Sequence, residues 1–316
     1  MRTRPTAMLL ALLSGAIAQT IPTASASSDL RVAATIAPIH SLVALVTDGI
    51  ALPDLIVRPG ASPHDYALKP SEAQALNDAD VVFWVGVSLE PWMEKAVGTL
   101  AGDAVVVELG AVDGIKRLPV REGGAWAAHA EGEGHGDHDD VHEHAEGFDP
   151  HLWLDPENAL TWLDAIAGKL AEIAPSHADR FQRNADAASA EIETLAAKIG
   201  ELLAPVKDQP YAVFHDAYQY FERRFDLHPL GAISLSDADR PGPARLMEVR
   251  AAIAESGAVC VFAEPQFEPK LIETVIEGSD TKLGMLDPIG AGQQPGVRLY
   301  PNLLRNLATS LRDCLG

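Results

Sequence analysis

Short apolar runs alternate with amphipathic stretches of helical length along most of the chain. Leu30–Thr35, Asp54–Arg58, Asp80–Val85 and Ala104–Leu109 read as strands, with helices over Pro38–Thr47, Ser71–Asn77 and Pro91–Leu100 between them. The pattern resumes after residue 204. Strands are expected at Tyr211–His215, Leu227–Ile233, Ala258–Ala263 and Lys282–Leu286, and helices at Ala217–Arg224, Ala244–Ser256, Pro269–Glu277 and Pro301–Cys314. Strands separated by helices of this size make parallel βαβ units, so the pattern predicts two Rossmann-like α/β lobes.

Between the lobes the period changes. Phe181, Ala185, Ala188, Ile192, Leu195, Ile199 and Leu202 recur in steps of four and three, and Ser176 with Asp179 three residues on can cap a helix over 176–203. Such a helix is about 42 Å long and suits a rigid strut joining two lobes; a dimeric coiled coil would show the same stripe. The expected organisation is an N-terminal lobe over 27–156, a helical region over 157–204 and a C-terminal lobe over 205–316.

Residues 1–26 stand apart. Arg2 and Arg4 precede an apolar core from Ala7 to Ala18, and Ala24-Ser25-Ala26 forms a small-x-small cleavage site. That is the pattern of a secretory signal peptide, too short to span a membrane, and no cysteine stands at the cleavage site for lipid attachment. Two cysteines in an exported chain, Cys260 and Cys314, read as a single disulfide. A catalytic or metal-binding pair is the sharper alternative, although their separation is no metal-knuckle spacing.

With 316 residues and 47% hydrophobic content the chain can build two cores, and its formal charge of −21 disfavours nucleic acid and attracts cations. Part of that charge surrounds His129, His135, His138, His142 and His144 in a low-complexity stretch over about 127–146. Neutral imidazole is the commonest ligand for borderline metals, so a metal is the first hypothesis; a solvated acidic loop is the bland one. His151 differs. It lies outside the biased stretch, between Asp149-Pro150 and the short apolar run Leu152-Trp153-Leu154, which reads as a short strand.

Ligands in doubly wound sheets bind beyond the carboxyl ends of the strands. Polar metal-type residues at such positions are His64, in the turn after Asp54–Arg58, His215, which ends its strand, and Asp287, which follows Lys282–Leu286; His151 joins them from its apolar break. Two come from each lobe, so all four can face one inter-lobe cleft, and three histidines with one carboxylate complete a tetrahedral Zn²⁺ set. A lone histidine after a strand is more often structural, and Asp before Pro is more often a turn-former. His40, His177 and His228 read as helix or surface residues, His228 within a strand without a polar neighbour.

Gly60-Ala-Ser-Pro-His64-Asp-Tyr66, Asp149-Pro-His151-Leu-Trp-Leu-Asp155-Pro156, Phe214-His215-Asp216-Ala-Tyr-Gln-Tyr-Phe221, Phe262-Ala-Glu264-Pro-Gln-Phe267 and Leu286-Asp287-Pro288 carry a resemblance. Together, and in order over the mature chain, they resemble the solute-binding proteins of zinc and manganese ABC importers, in the ZnuA-like zinc branch. The resemblance implies two lobes joined by one helix, metal in the cleft between them, and delivery of Zn²⁺ from the periplasm to a membrane permease. It also implies His64, His151 and His215 as ligands, Asp287 as the acidic fourth, the loop histidines as auxiliary, and the Cys260–Cys314 disulfide. Some zinc members place Glu before the first histidine, where this chain has Pro63. Glu264 reads as structural; Asp65, Asp149, Asp155 and Asp216 are candidates, by adjacency, to hold the second ring nitrogens.

The expected partners are the permease subunit of an ABC importer and a periplasmic zinc metallochaperone, with the protein itself a monomer. A zinc hydrolase is the competing class, but His-Glu-x-x-His and nucleophile-elbow motifs are absent from the sequence. An adhesin or a zinc buffer would share the site without the permease. No enzymatic activity is expected.

Overall fold

The computed structural model describes residues 30–121, 147–234, 243–266 and 269–316. The leader over 1–26 and the five histidines of the 127–146 stretch lie outside the described residues.

The N-terminal lobe holds β1 (Val32–Ala34), α1 (Ala37–Val46), β2 (Asp54–Leu55), α2 (Pro70–Asp78), β3 (Val81–Trp84), α3 (Pro91–Leu100) and β4 (Val105–Glu108). The C-terminal lobe repeats the scheme with β5 (Tyr211–His215), α6 (Gln219–Phe225), β6 (Gly231–Ser234), α7 (Pro243–Ser256), β7 (Cys260–Ala263), α8 (Pro269–Ile276) and β8 (Lys282–Met285), closed by α9 (Leu299–Leu315). α4 (Pro156–Ile173) and α5 (Ala178–Leu203) lie between them. Both sheets are parallel, with orders β2-β1-β3-β4 and β6-β5-β7-β8. The fold is therefore two α/β lobes of one topology, each with its switch point beside its first strand.

Side-chain alternation divides each sheet between two cores. Val32, Ala34, Val81 and Phe83 face a core that continues through α1, α4, α5 and α9 to Tyr211, Val213, Cys260 and Phe262 of the second sheet. Ala33, Val82 and Trp84 face an outer layer with Leu76 and Met93, and Ala212, Phe214 and Val261 face another with Val249 and Ile253. Both faces of both sheets are thus covered, as parallel strands require.

α5 is the strut, about 39 Å long for its 26 residues. Phe181, Ala185, Ala188, Ile192, Leu195 and Ile199 are buried, and the helix packs against α1, α4 and α9, so the apolar stripe serves one chain. Leu203 rather than Leu202 completes the buried face. Ser176 does not cap it: Pro175–His177 form a 3-10 turn, and α5 begins at Ala178. A second seam locks the lobes together. Ser41 Oγ donates to Gly296 O (2.7 Å) and accepts from Tyr300 N (3.0 Å), Tyr300 Oη donates to Trp153 O (2.7 Å), and Trp153 Nε1 donates to Pro288 O (2.6 Å).

Leu152–Leu154 is a 3-10 turn, not a strand. Leu154 N bonds to His151 O and Asp155 N to Leu152 O, and all three side chains are buried, leaving none of the two-sided alternation a ladder needs. Cys260 and Cys314 form a disulfide joining β7 to α9, with Cα atoms 6.2 Å apart. Among the described residues no helix is long and apolar enough to cross a membrane.

Candidate metal centre

His64 reaches the cleft on a loop built to hold still. Pro59-Gly60 turns the chain, with Ala61 N bonding to Arg58 O and Gly60 at φ +82°, a conformation open to glycine at no steric cost. Ser62 Oγ accepts from His64 N (3.2 Å), and Trp92 Nε1 of α3 donates to Pro63 O (2.8 Å). Behind the loop Glu72 accepts from Tyr66 Oη (2.9 Å), Arg58 Nε (2.9 Å) and Lys69 N (2.7 Å). Burial acts to raise the Glu72 carboxyl, but these three donors hold it below the usual range.

His151 opens the 3-10 turn, and Asp149 fixes it. Asp149 Oδ1 accepts from His151 N (3.0 Å) and lies 2.8 Å from its Nδ1, so the ring has little rotational freedom. Burial pushes the Asp149 carboxyl up to about 7, against the donation from His151 N and the nearby Arg121 charge. His215 is the last residue of β5, and its Nδ1 lies 3.4 Å from Glu264 Oε1, which also accepts from Tyr218 Oη (3.0 Å). Glu264 follows β7, the strand beside β5, so it stands at the same sheet edge as His215. That adjacency is invisible until the strand order is known.

The three rings converge. Centroid separations are 5.4 Å for His64–His151, 5.9 Å for His64–His215 and 5.0 Å for His151–His215. One ligand nitrogen from each lies within 4.8 Å of the others, with His151 and His215 buried and His64 half-buried. They line a cavity of about 90 Å³ with Val120, Arg121, Asp149 and Asp216. Three neutral imidazoles around a small cavity suit a borderline divalent cation, which prefers nitrogen donors at about 2.0–2.1 Å.

Asp287 does not join this group. Its carboxylate accepts from Ile289 N (3.3 Å), Gly290 N (2.8 Å) and Gly292 N (3.3 Å), and β8 lies two strands from β5. Among the described residues the group whose ligand atoms lie within 4.8 Å of one another is His64, His151 and His215. The turn-forming role of Asp before Pro is the one this geometry displays. Of the four aspartates adjacent in sequence to a candidate ligand, Asp149 lies against a clustered histidine, as Glu264 does from β7. Asp155 caps α4 through Glu157 N, Asp216 pairs with Arg121, and Asp65 is exposed.

The remaining described histidines lie apart. His40 is buried in α1 with Nε2 3.0 Å from Pro53 O, and burial lowers its pKa despite that bond. His177 stacks edge-on against Phe181. His228 precedes β6 and lies 3.4 Å from Asp226, so it has the polar neighbour its sequence context does not reveal.

Comparison with known proteins agrees with this architecture. The high-affinity zinc uptake system protein ZnuA of Brucella abortus (strain 2308) is 42% identical over 304 residues, covering 90% of this chain and 91% of that protein. The protein of the same name from Paracoccus denitrificans is 38% identical over 339 residues, covering 99% of each chain. Among solved structures, a crystal structure of ZnuA superposes with a TM-score of 0.75 at 23% identity, covering 91% of this chain and 99% of that one. The periplasmic zinc-binding protein TroA of Treponema pallidum gives 0.74 at 21% identity over 91% of this chain and 99% of its own. These two likenesses speak for the fold. The family model described as zinc-uptake complex component A, periplasmic, matches residues 32–314, and with such relatives along nine-tenths of its length the chain belongs to the ZnuA family.

Proposed function

We propose that this protein is the high-affinity zinc-binding component of a periplasmic ABC import system, capturing Zn²⁺ between its lobes and delivering it to the permease. The observation that carries the reading is the convergence of His64, His151 and His215 on one small cavity. Three imidazoles make a softer site than a carboxylate-rich one and favour zinc over Mn²⁺. Asp287 is held by backbone amides, so a solvent oxygen is the simplest fourth donor.

Among the described residues the carboxylates beside the cluster do not favour catalysis. A zinc hydrolase needs a free general base beside the bound water, whereas Asp149 and Glu264 each lie against an imidazole nitrogen. The loop histidines His129, His135, His138, His142 and His144 would serve as a weak collector that raises local zinc. The reading carries with it a monomer, a cleaved leader over 1–26, and transfer from a periplasmic metallochaperone.

Chelator-competition titration of the metal-stripped protein tests this. Tight, near-stoichiometric zinc with weaker manganese is expected; His215→Ala should abolish tight binding, and Asp287→Ala should leave it. Deleting residues 127–146 should remove weak additional binding alone. Indifference to His215→Ala, or loss of the tight site with the loop, would refute the cleft assignment.

A further inference from the structure

Arg121 crosses the cleft. It lies two residues beyond Pro119, which pairs with Phe148 in a stem where Asp149 N bonds to Leu118 O, on the side that carries His151. Its guanidinium forks onto the C-terminal lobe: Nε donates to Asp216 Oδ2 (3.0 Å), Nη2 to Asp216 Oδ1, and Nη1 to Glu222 Oε2 (2.7 Å). Asp216 immediately follows His215, and Glu222 sits on α6 with 2% exposure. Arg121 is also among the residues that line the cavity shared by the three histidines.

Coulomb's law alone makes a guanidinium an unfavourable neighbour for a divalent cation. What Arg121 offers in return is geometry, because a bidentate fork fixes direction as well as distance. The turn that carries His215 is otherwise short, closing through the bond from Ala217 N to His215 O (2.9 Å). Arg121 ties that turn to the stem that carries His151.

We propose that Arg121 is a positioning residue: it clamps the His215–Asp216 turn onto the N-terminal stem and thereby sets how tightly, and for how long, the histidine cluster holds its cation. The proposal rests on the reading of those histidines as zinc ligands. A charge effect and a clamp predict opposite signs, which makes the two separable. Removing a mere repulsive charge tightens zinc binding; removing a clamp loosens it.

The experiment uses the mature chain with Arg121→Met, which keeps the unbranched stem without charge or fork, and Arg121→Lys, which keeps charge without the fork. Zinc affinity by chelator competition, zinc release after a chelator chase, and the d–d absorption of the Co²⁺-loaded protein are read together. Outer contacts that orient ligands are typically worth about 10–100-fold in metal affinity. Arg121→Met is expected to weaken zinc within that range, through faster release and with an altered Co²⁺ spectrum, and Arg121→Lys to recover part of the loss. The double variant Arg121→Met/Glu222→Gln relieves Glu222 of an unpaired buried charge and should still bind weakly, which separates clamp from fold. Tighter binding by Arg121→Met, or a lower Tm with unchanged affinity and spectrum, would overturn the clamp while leaving the zinc reading intact. Absence of tight zinc binding in the wild-type chain would overturn both.

Discussion

The two lobes repeat one sheet, with matching orders β2-β1-β3-β4 and β6-β5-β7-β8, yet they present side chains to the cleft in different ways. On the N-terminal side the histidines stand on connections: His64 on the loop after β2, His151 at the mouth of a 3-10 turn. Their positions rest on local bonds, from Ser62, Trp92 and Asp149. On the C-terminal side His215 is part of a central strand, backed by the buried Glu264 and tied through β7 to a disulfide on α9. One topology thus supports two strategies. A loop can be tuned one hydrogen bond at a time, whereas a strand end is fixed by the packing and charge of a whole lobe.

The largest break in this comparison is the disulfide. Cys260 and Cys314 are separated by 54 positions, for which the chain-entropy model gives about 4 kcal/mol of stabilisation. Replacing both with Ser should lower Tm by about 10 °C, at roughly 2–4 °C per kcal/mol, while zinc affinity at 25 °C changes little. Differential scanning calorimetry with a parallel zinc titration checks this. An unchanged Tm would mean that the C-terminal lobe is no more dependent on its staple than the N-terminal lobe, which has none.

The lobes, most of the elements and the converging histidines are legible in the sequence because each depends on local pattern. Apolar runs bounded by turn residues mark the strands, and a polar residue at a strand's carboxyl end marks a crevice. Strand order is not local. Glu264 comes beside His215 only once β7 is seen to pair with β5, and the same order sets the strand before Asp287 one place further out. Arg121 pairs with Asp216 and Glu222 across 95 and 101 positions, a contact no periodicity announces. Leu152–Leu154 misleads in another way. Its residues are as apolar as a buried strand, and only the bonds from Leu154 N to His151 O and Asp155 N to Leu152 O show the 3-10 turn.

Buried carboxylates sharpen the comparison. Glu222 in the C-terminal lobe is paired with Arg121, whereas Glu90 in the N-terminal lobe is fully buried and accepts from Val85 N (2.9 Å). Burial pushes the Glu90 carboxyl up to about 7, against donation from neighbouring groups that include the Val85 and Gly86 amides. The native state then holds this proton more tightly than the unfolded chain, whose Glu titrates near 4.3. Stability from this group is full below about pH 4 and is lost as pH rises to about 7, by at most about 4 kcal/mol. Glu90→Gln should remove that decline, so the metal-free variant should gain on wild type between pH 5 and 8. Parallel Tm-against-pH curves would show that Glu90 does not titrate in this range.

The smallest effect lies at a single bond. Trp92 Nε1 donates to Pro63 O (2.8 Å), and the indole lies 5.5 Å from the Tyr66 ring, so Trp92 holds the residue immediately before His64 while packing the loop from behind. Trp92→Phe keeps an aromatic surface and deletes the donor. A neutral hydrogen bond contributes about 1 kcal/mol net, which is about a fivefold change in affinity if the whole of it is felt at His64. Zinc binding should therefore weaken by about that factor, with faster release and little change in Tm. The contrast with Arg121→Met is the informative part, since both variants act on a residue adjacent to a histidine, one through a neutral bond on a loop and one through a charged fork on a strand end. If Trp92→Phe costs as much as Arg121→Met, the loop is no easier to tune than the strand, and the division of labour between the lobes fails.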